Sequence, residues 1–291
     1  MIKRLKYTDI DFAKYEECIE NAVQKNIYAQ KKILDALCES WELLFAGDYE
    51  FVMPVPVKRK FGFHIVLMPL FCQQLGVFSK VKDPKIEQQF LKYLQKNYRL
   101  FSYAFNHQNT FSPDLVMKKN YVIPQTDYPT LRKKYFKGRK STVKTAQYLT
   151  FEEVKRLDVL AFIKNNFKGL EKKSDVTKFF EYIEFLETEN SLRIFGSFKE
   201  KNLTNLAIII EEDNRFSLLA LINDPQFKTD NGASFLIDRI LQENIEEKTF
   251  DFMGGNIRGI EVFFKSFGSE LEQYPSLEKS KGELLRNFFK K

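Results

Sequence analysis

Apolar residues first recur with a helical period. Phe12, Tyr15, Ile19, Ala22 and Val23 form one stripe, and Ile33, Leu34, Leu37 and Trp41 a shorter second one. The period then changes to two. Phe51, Met53, Val55 and Val57 predict a strand over residues 49–58, with Pro54 and Pro56 pointing to a sheet edge or a bulge. FGFHIVLMPLF predicts another strand with Phe61-Gly62 at its turn, and QQLGVFS a short third. Asp83-Pro84 opens a helix with Ile86, Phe90, Leu91 and Leu94 on one face. RLFSYAFN and NYVIPQ follow as strands.

Residues 128–146, YPTLRKKYFKGRKSTVKTA, carry Arg132, Lys133, Lys134, Lys137, Arg139, Lys140 and Lys144 and predict a helix bent or broken around Gly138. This basic block sits near the midpoint and marks a boundary. Beyond it the plan repeats. Val176, Phe179, Phe180, Ile183 and Leu186 mark a helix. SLRIFGSF, NLTNLAIIIEE and RFSLLALI are successive strands separated by turns such as Glu212-Asp213-Asn214. A loop, NDPQFKTDNGAS, leads into a helix faced by Leu236, Ile237, Ile240, Leu241 and Ile245. TFDFMG is a further strand, residues 257–266 a short helix and SELEQYP a last strand. A basic amphipathic tail carries Leu284, Leu285, Phe288 and Phe289. The two halves share a pattern of elements and no close identity.

Composition narrows the class. With 291 residues, of which 30 are Phe, the chain is long enough for two domains and apolar enough to be globular. A net charge of +7 favours a polyanionic partner, such as a nucleotide cofactor, RNA or an anionic membrane, without choosing among them. Three cysteines without CxxC spacing and two histidines argue against a disulfide framework and a local zinc site, and for a reducing cytoplasm. The start MIKRLKYTDID lacks an apolar signal core, and the longest apolar runs fall short of a transmembrane segment. Walker, GxGxxG, GxSxG and HExxH motifs are missing from the sequence.

Glycine is scarce, 12 residues, yet Gly232, Gly254, Gly255, Gly259 and Gly268 crowd together. The order of strands, then Lys228-Thr229-Asp230-Asn231-Gly232-Ala233, then helix and strand resembles the core of the GNAT acyltransferases. In that superfamily a strand splays from its neighbour, and the turn after it, Arg/Gln-x-x-Gly-x-Gly/Ala, opens a helix whose backbone N–H groups hold an acyl-CoA pyrophosphate. Here lysine replaces the arginine and asparagine the first glycine, and Asp230 adds a negative charge. Asp251-Phe252 with Gly254 and Gly255, then Phe264-Lys265-x-Phe267-Gly268, resembles the end of FemABX-type double-GNAT proteins. Arg132, Lys133 and Gly138-Arg139-Lys140 resemble the basic helix joining their units. Gln73-Gln74-Leu75-Gly76 and the segment from Trp41 to Asp48 resemble the first unit of a bacterial FemABX-like branch. The coiled-coil arm of some Fem transferases has no counterpart.

The resemblance implies an α/β fold of mixed sheets, with GNAT-like units at 1–127 and 147–291 joined by the basic helix 128–146. It implies transfer of an acyl or aminoacyl group to a small-molecule or peptide-like amine, from acyl-CoA or aminoacyl-tRNA, with the substrate between the units and no metal. Lys228, Asn231, Gly232 and Ala233 are the candidate donor-binding residues. Lys265, charged among phenylalanines, is the candidate for substrate handling. Glu211, at the end of an apolar strand, is a candidate base, with Glu212 beside it, and Tyr274 a candidate proton donor to a leaving thiolate. Two other functions stay open: a catalytically silent binding module, favoured by the degenerate turn, and a basic RNA-binding protein, favoured by aromatic and basic residues interleaved in the linker.

Overall fold

A computed structural model describes residues 1–60, 63–111 and 115–279. The Phe61-Gly62 turn and the amphipathic tail lie outside the described residues. By its contacts the chain divides into two compact units, residues 1–118 with 273–291 and residues 119–272. The basic segment 128–146 falls inside the second unit, and the chain returns to the first at residue 273.

The first unit opens with β1 (Lys3–Leu5). Helices α1 (Phe12–Glu20) and α2 (Lys31–Leu37) separate it from β2 (Trp41–Ala46), with which it pairs antiparallel. The Asp11 carboxylate caps α1 by accepting from the Lys14 N–H at 3.2 Å. β3 (Phe51–Lys60) pairs antiparallel with β2, and β4 (Phe63–Val66) with β3. β5 (Phe78–Ser79) joins the start of β3. Helix α3 (Pro84–Asn97) then carries the chain to β6 (Arg99–Leu100), which lies parallel to β4. The strand order is β1-β2-β3-β4-β6.

Two sequence expectations change here. Trp41 belongs to β2 and not to a helix. It is 1% exposed and its indole N–H donates to Asp35 at 2.9 Å. Pro54 and Pro56 lie in an internal strand. The Val57 N–H points to the β2 side, toward the Ser40 carbonyl, so the even-numbered positions of β3 face the other way. On that other side β5 covers Phe51 and Val52 and β4 starts at Val57, leaving the prolines in the gap. No ladder N–H is needed there, and the Tyr103 hydroxyl donates to the Pro54 carbonyl at 2.8 Å.

After β7 (Ser102–Ala104) the chain enters the second unit along β8 (Val116–Ile123). Helices α4 (Tyr128–Lys134) and α5 (Lys137–Thr145) come next. The break between them is at Tyr135-Phe136, both extended, and not at Gly138, which lies within α5. Tyr135 turns inward, its ring edge on Phe267 at 5.3 Å, and this packing stops the helix.

β9 (Thr150–Glu153), α6 (Arg156–Asn166) and α7 (Lys173–Thr188) precede three antiparallel strands. These are β10 (Leu192–Lys199), β11 (Asn202–Glu211) and β12 (Arg215–Asn223). Helix α8 (Gly232–Asn244) leads to β13 (Thr249–Asp251), which lies parallel to β12. Then come α9 (Arg258–Lys265) and β14 (Glu270–Glu278), whose end pairs with β7 in the first unit. The second unit's strand order is β8-β13-β12-β11-β10-β9.

The units are topological copies. Each has an opening strand, two helices, three strands, a helix, and a strand returning parallel to the third. In the first these are β1, α1, α2, β2–β4, α3 and β6. In the second they are β9, α6, α7, β10–β12, α8 and β13. The second unit's core gathers Ile209, Phe216, Leu236, Ile240, Phe250, Phe252, Phe264 and Phe267. Phe264 stacks on Phe252 with ring centroids 4.3 Å apart.

Candidate functional site

The ladder between β12 and β13 runs only from Arg215↔Thr249 to Ser217↔Asp251, while β12 continues beside β11 to Asn223. The strands therefore part after three residues. A bulge helps: Ile209 faces Leu218 and Ile208 faces Ala220, so Leu219 is an extra residue in β12. Past Ser217, β12 has no strand partner on its β13 side among the described residues.

The chain leaves β12 at Asn223 and makes a 3-10 turn over Pro225–Asp230 before α8. Asn231 sits in the left-handed region, φ 58°, and no side chain caps α8. Gly232 has an ordinary helical backbone, so its requirement is space. A Cβ there would stand 1.8 Å from Asn205 Oδ1 and 3.1 Å from Ser197 Oγ. Those atoms belong to a buried polar group beneath the start of α8. Asn205 Oδ1 accepts from Ser197 Oγ at 3.1 Å and Thr204 Oγ1 at 2.9 Å, and Asn205 Nδ2 donates to Asn223 Oδ1 at 2.6 Å. The start of α8 thus lies against the Asn205–Asn223 end of the sheet, where β12 and β13 have parted.

Asp230 does not leave a bare negative charge at this turn. Lys199 Nζ is 3.2 Å from both carboxylate oxygens, and the Tyr148 hydroxyl donates to it at 2.6 Å. The bond from Tyr148, then Lys199, holds the carboxyl below the ordinary aspartate range. Lys228 is exposed on the same turn, and Asn231 Nδ2 reaches Thr145 on α5 at 3.4 Å. Arg139 of α5 hydrogen-bonds Ser234, the third residue of α8, and donates to Ser266 Oγ at 2.8 Å. Its guanidinium lies 4.3 Å and 4.4 Å from the ring centres of Phe263 and Phe267. Burial pulls it down to about 10. The first turn of α8 therefore offers uncapped N–H groups with cations around it.

After β13, the Met253 N–H donates to Asp251 Oδ1 at 2.7 Å, which holds Met253 at φ 54°. Gly255, at φ 148°, follows because the Tyr121 ring occupies the place of its Cβ, 2.5 Å away. Asp251 is itself buried and paired with Arg215 at 2.6 Å. On α9, Glu261 accepts from the Tyr121 hydroxyl at 2.7 Å and from Lys119 at 2.9 Å. These bonds, with Lys265 one turn on, keep its carboxyl below the usual glutamate range.

Asn231, Gly232 and Ala233 come together at the α8 start, with Lys228 on the turn before them. Lys265 is exposed at the end of α9. Glu211 lies at the other end of β11, paired in register with Phe216 and ion-paired with Lys248 at 2.9 Å and Arg193 at 3.3 Å. It is six residues from Asn205, about 20 Å along a strand, so the fold does not bring it to the turn. Tyr274 is buried on β14 in the first unit. Sequence reasoning missed Asn205, Ser197, Tyr148 and Lys199, because their roles come from pairing between strands and not from local spacing. Among the described residues no cluster of His, Cys, Asp or Glu could hold a metal ion, and no helix is long and apolar enough to cross a membrane.

Paired units of this topology have the tandem GNAT-like fold, a mixed α/β arrangement. FemX matches with a TM-score of 0.63 at 10% identity, covering 99% of this chain and 100% of that one. A conserved protein of unknown function from Bacteroides thetaiotaomicron matches with a TM-score of 0.62 at 13% identity, over 96% and 100% of the two chains. A tandem GNAT protein from the clavulanic acid biosynthesis pathway matches with a TM-score of 0.53 at 8% identity, over 96% and 98%. No family model and no curated protein matches the chain.

Proposed function

We propose that the protein is an N-acyltransferase that takes an acyl group from an acyl-CoA, seats the donor's phosphates at Asn231–Ala233, and passes the group to an amine. The observation that carries this reading is the contrast between α8 and its topological counterpart α3. In α3, Pro84 has no N–H to offer, and the Asp83 carboxylate accepts from the N–H groups of Lys85 at 2.9 Å and Ile86 at 3.1 Å. That helix start is closed to an anion. The α8 start has no side-chain cap, with Lys228 on the turn before it and Arg139 against its first turn, which suits a pyrophosphate. The parted edge of β12 offers peptide groups to the extended, amide-bearing arm of such a donor.

Lys265 remains the candidate for handling the acceptor or stabilising charge in transfer. Glu211 is already paired with two cations far from the turn, and Tyr274 belongs to the other unit, so this reading leans on neither. A donor attached to tRNA would also present phosphates, and a silent module would have the same fold. Calorimetry with acetyl-CoA and longer acyl-CoAs, followed by transfer assays with amines, separates them. Heat of binding without transfer to any amine supports the silent module. Transfer from aminoacyl-tRNA without acyl-CoA binding transfers the reading to that donor.

A further inference from the structure

The surface around the α4–α5 junction is strongly basic. Arg132, Lys133, Lys134, Lys137, Arg139, Lys140 and Lys144 fall between Asp127 and Glu152 with no acid among them. Three of these side chains contact acids or rings, and Lys140 Nζ donates to the Lys133 carbonyl at 2.9 Å. Arg132 lies 3.8 Å from Asp238 and over the Tyr135 ring, Lys134 lies 3.6 Å from Glu270, and Arg139 packs on Phe263 and Phe267. Lys133, Lys137, Lys140 and Lys144 are exposed, and among the described residues none has a carboxylate partner. In their midst stands Phe136, 49% exposed. It is held there, because its N–H donates to the Ser266 carbonyl at 3.0 Å at the end of α9. One turn back on the same side of α9 is Val262, 56% exposed, whose carbonyl accepts from the Ser266 N–H at 3.1 Å.

We propose that this junction docks on an anionic lipid bilayer, with Phe136 and Val262 entering the interface and Lys133, Lys137 and Lys140 meeting the phosphates. The helix break that turns Tyr135 into the core turns Phe136 out of it, so the exposure is built into the backbone. The lysines alone suit any polyanion. The aliphatic Val262 decides for lipid, since it has nothing to offer a phosphate backbone or a base but gains by leaving water at an acyl-chain boundary. Lysines near such a surface each add to the attraction within a Debye length.

The proposal does not depend on the donor reading, and its test needs no substrate. The full chain is mixed with phosphatidylcholine vesicles, with phosphatidylcholine–phosphatidylglycerol vesicles, and with bulk tRNA, and binding is followed by sedimentation against salt. Binding to the anionic vesicles alone, weakening with salt, is the expected result. Lys133, Lys137 and Lys140 together changed to Ala should lower partitioning about a hundredfold. Phe136→Ala should lower it about tenfold and leave the salt dependence unchanged. All four side chains are exposed, and an unshifted thermal melt confirms that the variants fold. No binding to anionic vesicles, equal binding to neutral ones, or salt-dependent binding to tRNA alone would overturn the proposal.

Discussion

Gly232→Ala separates two explanations of the glycine that opens α8. If Gly232 were there only as a permissive loop residue, alanine would be the better helix former by about 1 kcal/mol, and the variant would be neutral or more stable. The structure predicts the reverse. The new methyl would stand 1.8 Å from Asn205 Oδ1 and 2.8 Å from its Cγ, so Asn205 must move. Its oxygen accepts from two buried hydroxyls, Ser197 and Thr204, and its amide donates to Asn223. Each such bond is worth about 1 kcal/mol net, and a buried group left unsatisfied costs about 1–3 kcal/mol. Disturbing two or three of them, less the propensity gain, leaves a destabilisation of about 2 kcal/mol. Urea unfolding measures it as a lower midpoint at unchanged slope. In an Asn205→Ala background the clash is gone, and the same glycine replacement should keep only its propensity gain of about 1 kcal/mol, a coupling of about 3 kcal/mol. A Gly232→Ala protein as stable as the parent, or an equal loss in both backgrounds, would refute the close-approach argument.

Ala233→Asp puts a carboxylate in the first turn of α8. Stability should rise by about 0.3–1 kcal/mol through the helix dipole while acyl-CoA binding is lost, and opposite signs in melting and calorimetry check this. Phe264→Ala should cost about 3–5 kcal/mol in urea unfolding, because the ring is buried against Phe252. Lys265→Ala should leave the melting temperature nearly unchanged, since the side chain is exposed, and should strongly reduce turnover in the transfer assay. Burial pushes the Glu87 carboxyl up, against the bonds from the Thr110 N–H and Asn109. A raised acid binds more protons folded than unfolded, so stability should fall as pH rises from about 4.3 through the folded value. Urea midpoints across that range should slope downward in the parent and flatten in Glu87→Gln.

Helical stripes, alternating runs and capping pairs were readable because each is a local signal: Asp83-Pro84 does open α3, and the β10–β12 strands lie where alternation and apolar runs place them. The resemblance to double-GNAT proteins carried the fold. The sequence misled where tertiary pairing overrides local preference. Pro54 and Pro56 suggested an edge, yet a vacancy on one side of β3 admits them inside a sheet. Gly138 suggested the helix break, yet the burial of Tyr135 sets it. Trp41 continued a helical stripe but pairs with Pro56 in β2. At the candidate site, Gly232 and its turn were legible. The Asn205 group, the Lys199–Asp230–Tyr148 contact and the Leu219 bulge were not, since each depends on strand register.

The central claim is that one acyl-CoA binds per chain, at the open start of α8 and not at the capped start of α3. Isothermal titration of the full chain with acetyl-CoA and a longer acyl-CoA, repeated on Ala233→Asp, measures it most directly. The account predicts a single site in the parent and none in the variant, which still melts cooperatively. No heat at millimolar donor, two sites per chain, or binding that survives Ala233→Asp would contradict it.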